Sequence, residues 1–307
     1  MTTLVFPGQG SQFIGMSKDF YDNFNVAKQV FEIIENSTKI PLKKIIFENK
    51  DNLLDITQFT QISIFCASMA IYRVFESLNN QNKININCSL GHSLGEYSSL
   101  VSSKVLSIED CSMILKVRGE LMQNAYEKNQ SGMAAIIGLN CKQLEDIINE
   151  NNLDVEIAND NSPLQVVISG TVKNLNTSEQ IILKNGAKKF VELKVSAAFH
   201  SKIMIEAEKK FISFLEKIKF KNANYPIISN YTGSATSESN KIFQNISKQM
   251  SNRVRWTESI QNLEKIGGKK IIEIGPGKVL SGLIKRISNN FDIISINSVK
   301  DMEDLFK

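Results

Sequence analysis

The segment around residue 93 limits the possible folds of this chain more than any other. From Ile84 to Leu90 apolar and polar residues alternate, and this period of two predicts a strand. Because Asn85 and Asn87 are polar, only the last residues of that strand are expected to be deeply buried. The sequence GHSLGEY follows at once, and apolar residues then recur at helical spacing: Leu94, Tyr97, Leu100 and Val101. We therefore predict a strand, a sharp turn and an amphipathic helix.

Strands and helices alternate over much of the chain. A strand at Thr3–Phe6 enters the loop PGQGSQ, and helices are predicted over Val26–Ile34 and Thr60–Leu78. Near the other end, KKIIEIGPGKVLSGLIKRI again predicts a strand, a tight turn and a helix. This alternation predicts an α/β fold with a mostly parallel sheet covered on both faces. The length of 307 residues allows a large core with a smaller companion.

A series of shorter elements interrupts this pattern. MAAIIGL predicts a strand, CKQLEDIINE a helix, VEIAND and LQVVISG two strands, NTSEQIILKNG a helix and KKFVELKV a strand. The order βαββαβ is that of a small ferredoxin-like unit. We predict such an inserted subdomain at 129–196, within a large α/β-hydrolase-like domain formed by 1–128 and 197–307. An amphipathic helix to about Lys217 and a strand near Tyr225–Ser229 continue the large domain.

Composition narrows the class of protein. Hydrophobic residues make up 42% and charged residues 22%, which is typical of a globular protein. The chain begins without a basic and apolar leader and has no run of about 18 apolar residues, so we expect a cytoplasmic protein and no membrane association. The four cysteines lack CxxC spacing, so we expect reduced thiols, mostly in the core, and no zinc site. They are Cys66, Cys88, Cys111 and Cys141.

The net charge of +4 is small, and lysines are grouped in patches at 39–44, 184–189 and 217–221. Two interpretations stay open: a solvated surface, or a partly basic face for an acidic partner or a phosphate-bearing substrate. Arginine clusters interleaved with aromatic residues are missing from the sequence. We therefore expect no nucleic-acid partner.

Within GHSLGEY, residues Gly91, Ser93 and Gly95 form the pattern G-x-S-x-G. A serine on a strained turn between strand and helix exposes its hydroxyl, and the glycines let neighbouring backbones approach closely. The amino terminus of the following helix favours developing negative charge beside the serine. The pattern also occurs by chance, but its place between a strand and a helix favours a nucleophilic serine.

A nucleophilic serine needs a base within hydrogen-bond reach, and the sequence has two histidines. His92 directly precedes Ser93, and adjacent side chains on so tight a turn point in different directions. His200 lies in SAAFHS, where the chain re-enters the large domain, and follows the serine in chain order as on hydrolase-like folds. A lone histidine is more often structural, but elimination makes His200 the expected base.

Five segments in order resemble the malonyl-CoA:acyl carrier protein transacylases of fatty acid synthesis: FPGQGSQ, GHSLGEY, RGELMQ, SAAFHS and IEIGPGKVLSGL. The resemblance spans almost the whole chain and also implies the βαββαβ insertion. It implies an acyltransferase that moves the malonyl group from malonyl-CoA to the phosphopantetheine thiol of acyl carrier protein, feeding fatty acid chain elongation. It implies a ping-pong reaction through a malonyl-serine intermediate, with no metal and no cofactor.

Carried over residue by residue, the resemblance makes Ser93 the nucleophile and His200 the general base and acid. It implies that Gln9 and Leu94 lend backbone N–H groups to the oxyanion hole, where a single donor is worth roughly a hundredfold in rate. The segment KQMSNRVRW matches the stretch whose glutamine carbonyl accepts the other imidazole N–H, which is Gln249 here. This implies a Ser–His dyad oriented by the backbone.

Three further residues match family positions near the substrate. Arg118 corresponds to the arginine that binds the free carboxylate of the malonyl group, for which a planar guanidinium is suited. Phe199 corresponds to a position whose bulk disfavours a methylmalonyl group, although most phenylalanines are simply core residues. Asn161 matches an asparagine near the substrate, although an asparagine before Ser-Pro is equally expected in a plain turn.

Some positions depart from the family pattern. Arg253 stands where the family often has proline, and Ala197 and Ala198 replace a glycine-containing lead-in to the histidine. These changes leave the chemistry in place but put the local backbone shape and the placement of Gln249 in doubt.

Two other functions stay open. One is a hydrolase of the esterase or patatin-like kind, but it needs an acid in a recognisable motif, and Arg118 would be ill placed beside an apolar acyl chain. The other is an inactive scaffold that binds a carrier protein through its basic patches, which the presence of both Ser93 and His200 disfavours. We expect a monomer, and the sequence leaves open whether the carrier serves fatty acid or polyketide assembly.

Overall fold

The computed structural model describes residues 1–82, 84–127 and 129–307. The strands are β1 (Thr2–Phe6), β2 (Ile86–Gly91), β3 (Ser131–Ile137), β4 (Glu156–Ser162), β5 (Gln165–Thr171), β6 (Lys189–Glu192), β7 (Ile227–Ile228), β8 (Ala235–Thr236), β9 (Lys270–Ile274) and β10 (Asp292–Ile296). The helices are α1 (Lys18–Asn23), α2 (Asn25–Thr38), α3 (Leu42–Phe47), α4 (Thr57–Asn82), α5 (Gly95–Ser102), α6 (Ile108–Gln123), α7 (Cys141–Glu150), α8 (Val172–Lys184), α9 (Ile205–Leu215), α10 (Ser239–Lys248), α11 (Trp256–Lys265), α12 (Val279–Ile287) and α13 (Val299–Phe306).

One sheet has the strand order β10-β9-β1-β2-β7-β8. Its pairs are parallel except for β7 with β8, which confirms the predicted mostly parallel sheet. In the central strand β1 the apolar run Leu4–Phe6 is fully buried. In β2 burial begins at Cys88, as the polar residues before it predicted. The carboxyl ends of β1 and β2 therefore meet in the interior of the molecule.

The βαββαβ order predicted for the insertion is confirmed by β3, α7, β4, β5, α8 and β6. These strands form a separate antiparallel sheet in the order β4-β5-β3-β6. The predicted amino-terminal boundary of the inserted subdomain lies between residues 128 and 129, and residue 128 is outside the described residues. The backbone of Val254, just before α11, bridges Ala158 and Asp160 in β4 and so ties this sheet to the rest of the molecule.

Helix α5, which follows the turn at Ser93, differs from the prediction. The sequence predicts one apolar face, but all eight residues of α5 are buried. The reason is its position, because it packs against β1 and β2 as well as against α4 and α6. The polar side chains of Glu96, Ser98 and Ser99 are thus carried into the interior.

The cysteines are free thiols, and Cys66, Cys88 and Cys111 are buried, as predicted, whereas Cys141 is partly exposed. Burial raises the pKa of these thiols. Among the described residues, none of the helices is both long and apolar enough to cross a membrane.

Candidate active site

Ser93 lies on the turn between β2 and α5, with φ of 50°. The two glycines beside it are required by close backbone contacts: a Cβ on Gly91 would lie 1.9 Å from the carbonyl carbon of Gly95, and one on Gly95 would lie 2.1 Å from the carbonyl oxygen of Phe6. Asn230 holds the turn, because its Oδ1 accepts from Ser93 N at 2.7 Å and its Nδ2 donates to Gly91 O at 2.7 Å. The serine hydroxyl is thereby presented on a strained, tightly packed elbow.

His200 is brought to Ser93 from 107 positions further along the chain, with Nε2 at 2.9 Å from Ser93 Oγ. Its Nδ1 lies 2.9 Å from the main-chain oxygen of Gln249 and 3.2 Å from that of Asn252. Because carbonyl oxygens only accept, Nδ1 carries the proton and Nε2 is free to accept from the serine hydroxyl. His200 itself has φ of 58°, and its backbone N–H donates to Met250 O at 3.1 Å.

The His200 ring is held in its neutral form. Burial, followed by the positive charge of Arg118, lowers the pKa of His200 to about 3, although the carbonyl of Gln249 acts in the opposite direction. An imidazole with so low a pKa is unprotonated at neutral pH. It is therefore in the form that a general base requires.

His92 is directed away from Ser93. Its Nε2 lies 2.7 Å from Asn161 Oδ1, and its ring packs against Trp256 with centroids 5.4 Å apart. Burial lowers the pKa of His92 as well. The structure therefore leaves His200 as the imidazole that meets the serine, in keeping with the argument by elimination.

Arg118 is 1% exposed and reaches Ser93 from α6. Its Nη2 donates to Ser93 Oγ at 3.1 Å and to Gln249 Oε1 at 3.0 Å, and its Nη1 donates to Gln61. The guanidinium also lies over the ring of Tyr97, 5.2 Å from its centroid. Burial lowers the pKa of Arg118 from its usual value. A buried cation beside the candidate nucleophile has the chemistry to bind an anionic group.

Gln249 contacts other residues of the site through both its main chain and its side chain. The carboxamide Nε2 donates to Ser93 O at 3.0 Å and to Glu96 Oε2 at 2.7 Å, while Oε1 faces Arg118. Burial raises the pKa of Glu96 to about 7, against the opposing effect of its hydrogen bonds. With Arg253 four positions further along, the main-chain oxygen of Gln249 still lies 2.9 Å from His200 Nδ1. The side chain of Arg253 instead pairs with Glu145 in α7.

A cavity of about 100 Å³ opens beside Ser93 and His200. Gln9, Leu94, Arg118 and Phe199 line it, whereas Asn161 does not and is tied to His92 behind the elbow. Asn159, two residues earlier in β4, lines the cavity instead. Gln9 is placed there because the backbone of its neighbour Gly8 packs against the His92 carbonyl: a Cβ on Gly8 would lie 2.4 Å from His92 O.

Four polar residues of the site were not predicted from the sequence: Gln61, Glu96, Asn159 and Asn230. Glu96 stands within GHSLGEY, but a glutamate in the first turn of a helix is ordinary on a protein surface. Gln61 and Asn230 lie in segments without a motif. In the part of the chain that is described, no cluster of histidine, cysteine, aspartate and glutamate has the arrangement of a metal site.

Comparison with known proteins assigns the family. A model of the acyl transferase domain matches residues 3–303. The chain belongs to this family and is an acyltransferase. The malonyl CoA-acyl carrier protein transacylase of Bacillus subtilis is 37% identical over 302 residues, which are 97% of this chain and 94% of that protein.

Solved structures share the fold of the acyltransferase over nearly its full length. The malonyl CoA-acyl carrier protein transacylase from Clostridium perfringens is 34% identical with a TM-score of 0.92, covering 99% of this chain and 95% of that one. A malonyl-transacylase in complex with a type II PKS acyl-carrier protein is 32% identical with a TM-score of 0.93, covering 99% and 98%. The mostly parallel sheet and the separate antiparallel sheet of the acyltransferase are thus shared with proteins of this name.

Proposed function

We propose that the acyltransferase moves a malonyl group from malonyl-CoA to the phosphopantetheine thiol of an acyl carrier protein, through a malonyl ester on Ser93. The observation that carries the proposal is a single cavity in which Ser93 Oγ lies 2.9 Å from His200 Nε2 and 3.1 Å from Arg118 Nη2. A nucleophile, a base and a carboxylate-binding cation are thus within reach of one small acyl group. The names of the relatives support the same donor and acceptor.

In the first half-reaction, His200 Nε2 takes the proton of Ser93 as Oγ attacks the thioester carbonyl of malonyl-CoA. The imidazolium that forms keeps its Nδ1 proton on the Gln249 carbonyl. As the tetrahedral adduct collapses, the C–S bond breaks and His200 returns its proton to the CoA sulfur. Malonyl-Ser93 and free CoA result.

The negative charge on the tetrahedral oxygen needs donors that are already in place. The N–H groups of Ser93, Gly95 and Glu96 are bonded to Asn230, His92 and Ser93 respectively. The N–H of Leu94, at the amino end of α5, and that of Gln9, across the cavity, are the donors that we assign to the oxyanion. The position of both residues on the cavity wall supports this assignment.

Arg118 selects the acyl group. Its guanidinium donates to two neutral partners, Gln61 and Gln249, and none of the salt bridges among the described residues includes it. A malonyl carboxylate supplies a negative charge in direct contact with the guanidinium, whereas an acetyl group leaves the buried cation without an ion pair. We assign to Phe199 the role of opposing a branched acyl group, and the position of its ring on the cavity wall, where it is 5% exposed, supports this assignment.

In the second half-reaction the phosphopantetheine thiol of the carrier replaces CoA. His200 takes the thiol proton, the sulfur attacks the ester of malonyl-Ser93, and His200 returns the proton to Ser93 Oγ as the C–O bond breaks. The two half-reactions share one base and one oxyanion site, so the kinetics are ping-pong. The residues described carry every proton transfer of this scheme.

The domain assignment belongs to the same proposal. The antiparallel order β4-β5-β3-β6, with α7 and α8 as the connecting helices, supports a ferredoxin-like subdomain at 129–196. The elbow at the end of β2 supports an α/β-hydrolase-like domain formed by 1–128 and 197–307. The cavity lies between them, since Asn159 comes from one and Ser93 from the other.

The decisive experiment uses radiolabelled malonyl-CoA. Acid-trapped protein should carry label on Ser93, the Ser93→Ala variant should not, and added carrier protein should take up the label. Release of free malonate instead of transfer would identify a hydrolase. Absence of covalent label would exclude both enzymes and leave the carrier-binding scaffold.

A further inference from the structure

Glu96 has no part in the reaction described above, although it lies three residues after Ser93 and is only 2% exposed. A carboxyl group placed so deep is unfavourable unless hydrogen bonds hold it. Glu96 Oε2 accepts from Gln249 Nε2 at 2.7 Å and from the backbone N–H of Asn230 at 3.1 Å. Both donors belong to residues that touch Ser93.

The contact between Glu96 and Gln249 determines the orientation of the Gln249 carboxamide. A carboxamide has a donor end and an acceptor end of nearly the same shape, so its surroundings must select the orientation. The guanidinium of Arg118 offers only donors, and Glu96 Oε2 faces Gln249 as an acceptor, because the same oxygen accepts from the backbone N–H of Asn230. With Nε2 on Glu96, the Oε1 of Gln249 faces Arg118 at 3.0 Å. The reverse orientation would direct an NH₂ group at the cation.

We propose that Glu96 is a positioning residue of the acyl-carboxylate site, which acts by orienting the Gln249 carboxamide so that its Oε1 holds the Arg118 guanidinium at Ser93. The inference deepens the proposed function and rests on it for the identity of the carboxylate. The chain of contacts is Glu96 Oε2 to Gln249 Nε2, then Gln249 Oε1 to Arg118 Nη2, then Arg118 Nη2 to Ser93 Oγ. Glu96 thus touches no reacting atom.

A matched pair of variants tests the effect of the hydrogen-bond acceptor on the side chain of residue 96. Glu96→Gln keeps a side-chain oxygen that can accept from Gln249 and Asn230, whereas Glu96→Met is unbranched and of similar size but has no such oxygen. Glu96→Ala is a second variant without an acceptor, in case the thioether does not fit. Glu273→Ala is the control, because this fully buried carboxylate caps α12 through Leu280 and Ser281 and does not contact Ser93, Gln249 or Arg118.

The readout is the ratio of kcat/KM for malonyl-CoA to kcat/KM for acetyl-CoA, which a general loss of folded protein does not change. Because the lost hydrogen bond orients a partner of a charged group, Glu96→Met and Glu96→Ala should lower the ratio roughly tenfold or more. Glu96→Gln should stay within about threefold of wild type, and Glu273→Ala should leave the ratio unchanged. In a Gln249→Ala background, Glu96→Ala should have little further effect on the ratio.

Three kinetic results would overturn the proposal: an unchanged ratio in Glu96→Met and Glu96→Ala, an equal loss in Glu96→Gln, or additive effects of Glu96→Ala and Gln249→Ala. The crystal structure of Glu96→Ala tests it without an acyl donor. The proposal expects the Gln249 carboxamide to turn and its contact with Arg118 to be lost, and a retained contact would refute it. A wild-type protein that forms no malonyl-Ser93 would refute the proposed function alone.

Discussion

The main-chain oxygen of Gln249 lies 2.9 Å from Nδ1 of His200. The imidazole is therefore oriented by a neutral carbonyl, whereas a Ser-His-Asp triad uses a buried carboxylate. The same residue directs its side chain to Arg118 at 3.0 Å. One glutamine at the end of α10 thus fixes the base with its backbone and the acyl-binding cation with its side chain.

Replacing His200 should remove the base but leave the cavity. We expect His200→Ala to slow the acylation of Ser93 by malonyl-CoA roughly 10²- to 10⁴-fold, the usual contribution of a general base. A single-turnover measurement with labelled malonyl-CoA gives this rate directly. A loss below about tenfold would show that another group takes the serine proton.

The pH profile should reflect the buried imidazole. Because the pKa of His200 is lowered to about 3, the base remains unprotonated far below the usual value of 6.5. We expect kcat/KM for malonyl-CoA to have no inflection attributable to His200 near pH 6.5 and to decline only at lower pH. Acetyl-CoA serves as a donor without a titrating carboxylate. Because burial raises the pKa of Glu96 to about 7, the profile is also measured in Glu96→Gln, and a half-maximal rate near pH 6.5 with both donors in that variant would contradict the neutral, buried state of the His200 ring.

Stability should depend on pH through the same residue. The folded pKa of His200 lies below its unfolded value, so its favourable contribution is present above pH 6.5 and is lost as the pH falls towards 3. Relative to His200→Gln, the wild-type free energy of unfolding should fall below pH 6.5 with a slope approaching about 1.4 kcal/mol per pH unit. Urea denaturation of both proteins from neutral to acidic pH measures the difference, which cancels the other titrating groups. A difference that does not change with pH would refute the prediction.

Arg118 should determine the choice of acyl group. We expect Arg118→Ala to lose roughly 10- to 150-fold in kcat/KM for malonyl-CoA, the equivalent of about 1.5 to 3 kcal/mol for a charge-assisted hydrogen bond. Its relative activity towards acetyl-CoA should rise, because no buried cation then remains unpaired. Competition between the two labelled donors gives the ratio. An unchanged preference would eliminate the role of Arg118 in binding the carboxylate.

The turn at Ser93 should not accommodate a methyl group added at Gly95. A Cβ on Gly95 would lie 2.1 Å from the carbonyl oxygen of Phe6, so Gly95→Ala should displace the turn and abolish labelling of Ser93. The matched control is Gly282→Ala in α12, where an added Cβ meets no atom within 4 Å. That change should stabilise the protein by up to about 1 kcal/mol, as expected for glycine to alanine within a helix. Thermal unfolding and phosphonate labelling of Ser93 check both variants, and equal behaviour would contradict the steric argument.

Much of the fold follows from local periodicity. The alternation before Leu90 and the apolar run at Leu4–Phe6 each predicted a strand, and both strands formed where expected. The strand predicted near Tyr225–Ser229 is shorter in the structure and spans Ile227–Ile228. Helix α5 was predicted to be amphipathic but is buried on all sides, because burial depends on neighbours that the local sequence does not specify.

The residues of the active site likewise divide into those that the sequence reveals and those that it does not. Ser93 was identifiable because its chemistry requires glycines at fixed positions beside it, and His200 because the sequence holds two histidines. The roles suggested for Arg118 and Gln249 came from family resemblance. Gln61, Glu96, Asn159 and Asn230 could not be found, because a polar residue has no local pattern that reveals whether it is buried.

By itself, the sequence determined the order of strands and helices, the strained turn at Ser93 and the choice of residue types, since these depend on interactions between near neighbours. Only the tertiary structure decided that His200 and Gln249 meet Ser93 from 107 and 156 positions away, and that Glu96 faces inward. The physical reason is that hydrogen bonds and burial act over a few ångströms in space. The packing of segments that are distant in the sequence therefore sets which polar groups become partners.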